Sequence, residues 1–127
     1  MTEVLPENAE SQRAWDGVLF DRFLAFRNLV VALAQHGLAA MQLTPPPLGY
    51  RVVDLGCGFG DSAQQLGELG GEAGSVVGVD IPPRFIELAR SATAAHTVAF
   101  GVAGVAGSRL GDASGQGVHS LGRRFIR

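Results

Sequence analysis

The sequence has no lysine, a single cysteine and little net charge. All ten basic residues are arginine, so the Gly-Lys-Ser/Thr of a phosphate-binding P-loop does not occur. Cys57 is the only cysteine, which excludes an intrachain disulfide and a cysteine-based zinc site. Charged residues make up 17% of the chain and the net charge is -2, which argues against strong attraction to nucleic acid or to an anionic membrane.

Long apolar runs are also missing. The most apolar stretch, LVVALAQHGLAAM at 29–41, is interrupted by Gln35 and His36 and is too short to span a bilayer. The N-terminus, MTEVLPENAESQRAWDG, is polar and acidic and does not resemble a secretory signal. We therefore expect a cytoplasmic protein without a membrane span and, from its 127 residues, one domain.

Composition and periodicity divide the chain into segments. Residues 1–14 are polar and are expected to be a flexible tail, whereas in 15–43 the apolar residues recur at spacings of three and four, which predicts helix, with Gly37 as a possible end. Residues 50–100 read as the core. Residues 101–127 hold seven Gly, and four Arg against one Asp, with no periodicity. We expect this tail to be disordered, or to come from a truncated or misread frame.

The core alternates strands and helices. YRVVDLG, SVVGVD and HTVAFGV predict three strands, and the continuous apolar runs are typical of parallel strands that are covered on both faces. The first helix has Ser62 as a candidate N-cap, with Gln65 in the capping-box position, and the second begins at Pro82-Pro83 and extends to about Ala95. This order predicts an α/β fold that opens a doubly wound parallel sheet with right-handed crossovers.

The stretch VVDLGCGFGDS at 52–62 joins the first strand to the first helix. A glycine turn in this position aims backbone N–H groups at a ligand. Glycines stand at 56, 58 and 60, whereas the dinucleotide fingerprint G-x-G-x-x-G would need a glycine where Asp61 stands. A carboxylate beside a pyrophosphate is unfavourable, so a phosphate-rich ligand is disfavoured.

The pattern Asp-x-Gly-x-Gly-x-Gly that begins at Asp54 resembles motif I of the class I S-adenosylmethionine-dependent methyltransferases. The resemblance implies a Rossmann-like sheet and S-adenosylmethionine as the cofactor, a ligand without phosphate. Glycines let the backbone pass close beneath such a ligand. Asp54 would place negative charge near the cofactor's ammonium group, directly or through water. The loop residues that the resemblance assigns to cofactor binding are Asp54, Gly56, Cys57, Gly58 and Gly60.

A second acid follows the second strand. Asp80 ends SVVGVD, 20 residues beyond Gly60, where a carboxylate can accept hydrogen bonds from ribose hydroxyls. In the family this acid is the usual ribose ligand, and Ile81 would lie against the adenine. Because NAD-binding proteins use such an acid too, an NAD(P)-binding oxidoreductase fragment remains an alternative. Asp112, within Gly-Asp-Ala, matches the family's acid that contacts the adenine amino group.

The helical lead-in resembles that of one subgroup of these methyltransferases. AWDGVLFDRFLAFRNLV at 14–30 resembles the lead-in of the UbiE/COQ5-like methyltransferases, with a Trp-x-Gly element at Trp15. That lead-in commonly folds over the cofactor, although Trp15 could equally anchor the helix to the sheet. The resemblance therefore implies that residues 15–100 are the cofactor-binding half of a methyltransferase. A second alternative is a non-catalytic fragment that needs a partner chain.

The reaction implied is in-line displacement at a sulfonium methyl group, with an unidentified small-molecule acceptor. No catalytic base is nominated, because the later strands that would carry the acceptor side are not recognisable. Cys57 is interpreted as a small residue in a tight loop and not as a nucleophile, and Asp61 as a candidate helix cap. The three histidines do not have metal-ligand spacing, so no metal is expected. They are His36, His96 and His119. The oligomeric state is left open.

Overall fold

In the computed structural model, residues 6–102 are described. Helices and strands follow one another in the order α1 (Pro6–Ala14), a π-helical turn (Trp15–Leu19), α2 (Phe20–Ala25), α3 (Arg27–Leu43), β1 (Arg51–Leu55), α4 (Asp61–Gly70), β2 (Ser75–Asp80), α5 (Pro83–Ala92) and β3 (Val98–Val102). The helices before β1 form the lead-in, and the elements from β1 to β3 form the core.

The three strands form one parallel sheet with the order β1-β2-β3. Val53 lies opposite Val77, and Gly78 lies opposite Phe100. All three predicted strands are present, and β2 has the bounds that its sequence pattern predicted. The predicted α/β fold is confirmed, with α4 and α5 as the crossover connections between neighbouring parallel strands.

Both core helices pack on the same face of the sheet. Alternate residues of the strands point to this face, and Ala63 of α4 and Ile86 of α5 have no exposed surface there. The buried cluster consists of Cys57, Ala63, Val76, Ile86, Ala89, Val98 and Phe100, with Val52, Leu66 and Val102 packed against it. Burial of this apolar surface is the main stabilising contribution to the core.

Strand burial follows the position of each strand in the sheet. On the central strand, Val77 and Val79 are buried although they point away from the face covered by α4 and α5, as expected for a strand covered on both sides. On β1, which lies at the end of the described sheet, Val52 and Val53 are only half-buried and Leu55 is exposed. The prediction that the strands are covered on both faces is therefore correct for β2 and wrong for β1.

Aromatic and ionic contacts hold the lead-in against the core. Phe20 of α2 packs edge-on against Phe85 of α5 and Phe59 of the glycine loop, with ring centroids 5.0 and 6.0 Å apart. Arg84, at the start of α5, donates to the Asp16 backbone carbonyl and has its guanidinium 4.0 Å from the centre of the Phe20 ring. These contacts bring the lead-in to the carboxyl ends of the strands.

The expected flexible tail is partly helical. Residues 6–14 form α1, and the Gln12 side-chain amide donates to the backbone carbonyl of Ile81 at 3.2 Å. The prediction failed because this segment has no apolar stripe. Helix-favouring Ala, Glu, Gln and Arg residues with Pro6 at the first position are sufficient once the helix has a docking contact. Residues 1–5 lie outside the described range.

Three local predictions were also wrong. Gly37 does not end a helix, because α3 runs through it to Leu43; glycine in a helix interior costs only about 1 kcal/mol. Helix α4 begins after Gly60 without a side-chain cap, and Ser62 donates its hydroxyl proton to a carboxylate instead. Helix α5 ends at Ala92, not Ala95, because Thr93 already has extended backbone angles.

The expectation for the tail from residue 101 lies outside the described residues, apart from Gly101 and Val102, which belong to β3. The expectations for Asp112 and His119 lie outside them as well. Within residues 6–102, no helix combines the length and the apolar character needed to cross a bilayer.

Candidate functional site

A cavity of about 450 Å³ lies where the glycine loop, the end of β2 and the lead-in meet. Its lining combines backbone of the loop, two carboxylates and several aromatic rings. The residues that line it are Ser11, Trp15, Phe23, Val30, Ala34, Gly56, Cys57, Gly58, Phe59, Asp61, Ser62, Asp80, Ile81, Pro82 and Phe85. The volume is in the range of a small-molecule site.

The glycine loop folds over the end of β2 through backbone hydrogen bonds. The N–H groups of Gly56 and Cys57 donate to the carbonyl of Val79 at 2.8 and 3.1 Å, and the Gly60 N–H donates to the Cys57 carbonyl at 2.9 Å. Gly56, Gly58 and Gly60 all have positive φ, at 72°, 53° and 88°. Residues other than glycine rarely adopt a positive φ, so the three alternate glycines allow the loop to take this shape.

Asp80 is held by two backbone N–H groups. Its Oδ2 accepts from Gly58 at 2.8 Å and its Oδ1 accepts from Ile81 at 2.8 Å. Two donors leave further lone pairs on both oxygens, because a carboxylate has about four acceptor sites. Asp80 lines the cavity, so a fixed carboxylate is presented to a ligand as a bidentate acceptor.

Asp54 lies behind this surface. Its Oδ2 accepts the hydroxyl proton of Ser62 at 2.6 Å. Burial raises the pKa of the Asp54 carboxyl above its usual value, the Ser62 hydrogen bond opposes that rise, and repulsion from Asp80 adds to it. Ser62 lines the cavity and Asp54 does not. The Ser62 hydroxyl therefore lies between the cavity and Asp54, the acid that was predicted to face the cofactor's ammonium group.

The structure separates the predicted site residues into two groups. Gly56, Cys57, Gly58, Asp80 and Ile81 line the cavity. Asp54 and Gly60 do not. A Cβ on Gly60 would lie 2.7 Å from the Phe100 ring and 3.0 Å from Ala89, so the close approach at Gly60 is to the core and not to a ligand.

The thiol of Cys57 is in an unreactive environment. The residue is 5% exposed and packs in the core cluster. Burial raises the pKa of the thiol strongly, and the negative charges of Asp80 and Asp54 raise it further. Since only the thiolate is nucleophilic, this environment favours the interpretation of Cys57 as a packing residue. In the described part of the chain, no group of three His, Cys, Asp or Glu side chains could hold a metal ion.

Asp61 forms an ion pair that links the lead-in to the glycine loop. Both its oxygens accept from the Arg27 guanidinium, the longer contact being 2.8 Å, and the two side chains are each 28% exposed. Arg27 also lies 4.4 Å from the centre of the Phe59 ring. The predicted capping role is therefore replaced by a bidentate pair, which compensates the negative charge of Asp61 beside the cavity.

The resemblance implied that the lead-in folds over the cofactor, but sequence reasoning did not identify the lead-in residues other than Trp15 that line the cavity. Ser11 of α1 and Val30 and Ala34 of α3 line the cavity opposite the glycine loop. The helical period identified an apolar face, but it could not say what that face meets. Trp15 lines the cavity and also packs against Phe85 of α5, with ring centroids 6.4 Å apart, and its contact with a cofactor stays a prediction.

Residues 48–106 match the family described as "Methyltransferase domain". A chain of the solved complex between the Haloferax volcanii Trm112 methyltransferase activator and a methyltransferase is 29% identical, with a TM-score of 0.51 over 72% of this chain and 38% of that chain. The core has the fold of a class I methyltransferase. These matches imply S-adenosylmethionine as the cofactor of the methyltransferase domain.

Two further solved structures resemble shorter parts of this chain. An arsenic(III) S-adenosylmethionine methyltransferase from Chlamydomonas reinhardtii is 36% identical, with a TM-score of 0.42 over 47% of this chain and 24% of that chain. An S-adenosylmethionine-dependent methyltransferase from Mesorhizobium loti is 32% identical, with a TM-score of 0.46 over 56% and 31%. The chain thus spans less than half the length of these solved proteins. No curated protein matches it.

Proposed function

We propose that this chain is the cofactor-binding half of an S-adenosylmethionine-dependent methyltransferase that acts on a small-molecule acceptor. The observation that carries the proposal is Asp80, whose two oxygens are oriented by the N–H groups of Gly58 and Ile81 at the edge of the cavity. The lead-in at 15–43 and the core at 50–100 together form this half.

The residues around the cavity fit the chemical groups of the cofactor. Asp80 would accept from both ribose hydroxyls, and Ile81 would lie against the adenine. Gly56 and Gly58 would pass beneath the ligand, because a Cβ on either glycine would have no atom within 4 Å. In the described part of the chain, the cavity lining has no arginine that could compensate a pyrophosphate, which supports this cofactor over NAD.

The chain's own contribution to the reaction is to position the ligand and to exclude water. When bound, the cofactor supplies an electrophilic methyl group on a sulfonium centre. Asp80 would hold the ribose, and Trp15, Phe23 and Phe85 line the cavity with an apolar wall that would limit the access of water to a bound ligand. We assign no side chain of the described core as a catalytic base.

A thermal melt of the chain tests the proposal. S-adenosylhomocysteine at a hundredfold excess over its dissociation constant is expected to stabilise the folded state by about 2.7 kcal/mol and to raise the midpoint. NAD at the same concentration is expected to leave it unchanged. Asp80→Ala should abolish the shift, while the exposed Glu68→Gln should retain it. A shift with NAD alone would favour the oxidoreductase alternative.

We also propose that the domain belongs to the UbiE/COQ5-like group of methyltransferases. Support comes from the Trp-x-Gly element, whose Trp15 lines the cavity while Gly17 departs from helical geometry, with φ -102° and ψ -115°. Profiling purified small molecules as methyl acceptors with labelled cofactor would test both the group and the class of acceptor. Methylation confined to a macromolecule would contradict it.

The second alternative, a fragment that needs a partner, is favoured by one observation. Phe26, Leu29 and Leu33 are spaced three and four residues apart and are exposed together on the lead-in. The Haloferax volcanii protein was solved as a complex with an activator. Sedimentation at several concentrations tests this candidate, since association that depends on concentration and is lost in Leu29→Glu would support it.

A further inference from the structure

The inference concerns the contact between the lead-in and the start of α5, and it rests on the proposed function. Asp16 and Arg84 are 68 positions apart in the chain and bind each other twice. The Asp16 Oδ1 atom accepts from the Arg84 backbone N–H at 2.7 Å, and the Arg84 guanidinium donates to the Asp16 backbone carbonyl at 2.9 Å. Each residue thus contributes both its side chain and its backbone to the Asp16–Arg84 pair.

The Asp16–Arg84 pair joins two walls of the cavity. On the lead-in, Asp16 directly follows Trp15, which lines the cavity. On the core, Arg84 directly precedes Phe85, which also lines it. The rings of Trp15 and Phe85 pack against each other with centroids 6.4 Å apart. The pair therefore holds the indole of Trp15 in a defined position relative to the core wall of the cavity.

Asp16 also supplies a helix cap that α5 lacks. The helix begins at Pro83, so the N–H of Arg84 belongs to the first turn and has no acceptor within the helix. Pro82, at the N-cap position, has no side-chain acceptor for it. The carboxylate of Asp16 accepts this proton and brings negative charge to the amino end of α5, where it is favourable.

Burial does little to fix Trp15 itself. The residue is 38% exposed and begins the π-helical turn Trp15–Leu19, none of whose residues is buried. Gly17 interrupts that turn with non-helical backbone angles. Short π-helical turns occur frequently at functional sites. Because burial is slight, the position of the indole depends on specific contacts, and the adjoining residue makes the Asp16–Arg84 pair.

We propose that Asp16 and Arg84 are positioning residues, which hold the Trp15 indole as one wall of the occupied cofactor site. Neither Asp16 nor Arg84 lines the cavity, so both act on a ligand through Trp15. Without the pair, the indole would occupy several positions. The apparent affinity for a ligand would then fall in proportion to the fraction of molecules with the wall in place.

The first test uses the wild-type chain and needs no variant. Trp15 is the only tryptophan in the sequence, so tryptophan fluorescence reports on this wall alone. S-adenosylhomocysteine should protect Trp15 from quenching by acrylamide, with half-maximal protection at the dissociation constant that titration calorimetry gives. Binding by calorimetry with unchanged quenching would mean that Trp15 is not a wall of the occupied site, and the proposal would be overturned.

Variants of Asp16 test the pair itself. Asp16→Ala should weaken binding of S-adenosylhomocysteine about fivefold, the factor that corresponds to loss of a typical helix cap, and should make Trp15 easier to quench. Asp16→Asn keeps an oxygen acceptor for the Arg84 N–H and should bind as the wild type does. Asp21→Ala is the matched control. Asp21 is also a lead-in carboxylate bound to Arg84, at 3.0 Å, but it is exposed and does not adjoin Trp15, so the affinity should not change.

A double-mutant cycle separates positioning from a general effect on folding. If Asp16 acts through Trp15, Asp16→Ala should cause no further loss of affinity in a chain that already carries Trp15→Ala. Calorimetry measures the four affinities, and circular dichroism confirms that each chain is folded at the temperature of the titration. The same fivefold loss in both backgrounds would show that Asp16 does not act through Trp15 and would overturn the proposal.

The outcomes separate this inference from the proposed function. If the wild type binds S-adenosylhomocysteine but Asp16→Ala binds as tightly, or Asp21→Ala loses as much affinity, the positioning role is wrong and the proposed function stands. Failure of Asp16→Asn to retain the wild-type affinity would also overturn the role given to the Arg84 N–H. If the wild type does not bind the ligand, the proposed function fails and this inference fails with it.

Discussion

The core and the lead-in are stabilised in different ways. Each core helix buries apolar side chains against the sheet, including Ile86, which has no exposed surface. By contrast, α3 has 17 residues and none of them is buried. The lead-in is held by a small number of specific contacts, among them the Arg27–Asp61 pair and the packing of Phe20 on Phe85.

This difference matches the parts that the two regions play around the cavity. The core supplies fixed polar groups, since Asp80 and the loop N–H groups are held by hydrogen bonds to one another. The lead-in supplies an apolar wall that rests on few contacts, and regions with few buried contacts open at lower free energy than the core. We therefore expect substitutions in the core to act on global stability, and substitutions in the lead-in to act locally.

The largest effect is expected in the core. Ile86→Ala removes a fully buried side chain and should lower the free energy of unfolding by about 4 kcal/mol, because it removes apolar contacts and leaves a cavity. Leu33→Ala on the lead-in is the matched control; with its side chain 60% exposed, it should change stability by less than about 0.5 kcal/mol. Urea denaturation measures both, and equal losses would mean that the two regions do not differ in this way.

Gly60→Ala should be nearly as disruptive. A Cβ at this position would lie 2.7 Å from the Phe100 ring, and the backbone has a φ of 88°. Strain and overpacking together should cost about 3 kcal/mol. Gly58 also has a positive φ, but a Cβ there would face open space. Gly58→Ala should therefore lower the free energy of unfolding by only about 1 kcal/mol. Thermal unfolding compares them, and a larger loss for Gly58 would contradict the packing role of Gly60.

Arg27→Ala tests how the lead-in is anchored. Loss of a half-buried bidentate pair should cost about 1 kcal/mol and should speed amide exchange in α3, with little change in β2. Arg22→Ala on α2 is the control, because that side chain is exposed. Hydrogen exchange followed by mass spectrometry resolves the two helices. Uniform acceleration over the core would show instead that lead-in and core unfold together.

The smallest change is expected at Asp54 and depends on pH. Because the pKa of this carboxyl is raised in the folded chain, its ionised form destabilises the fold. The stabilising contribution of protonated Asp54 is complete below the usual pKa of 3.8. It is lost as the pH rises through the higher pKa that the carboxyl has in the folded chain. Asp54→Asn should therefore stabilise the chain at neutral pH, with a gain that vanishes in acid.

Chemical denaturation over a range of pH measures the difference between this variant and the wild type. Glu68→Gln, on the exposed side of α4, should show no such pH-dependent gain. A gain from Asp54→Asn that persisted below pH 3.8 would rule out ionisation as its cause.

Sequence patterns predicted the core well because its residues are constrained by local geometry and burial at once. The apolar run SVVGVD is buried along nearly its whole length, and the alternate glycines have the positive φ that makes glycine necessary. The ends of elements were predicted less well. Gly37 and Ser62 each satisfy a local rule for a helix end, but tertiary contacts decided their actual roles.

The sequence by itself determined the parallel α/β core, the glycine loop and the acid at the end of β2, since each depends on residues that are close together in the chain. Only the tertiary structure decided that Ser62 lies between Asp54 and the cavity, that Asp61 pairs with Arg27, and that the lead-in forms a wall opposite the loop. The last two of these relations join residues more than twenty positions apart. Periodicity shows which face of a helix is apolar, but it does not show which surface that face will meet.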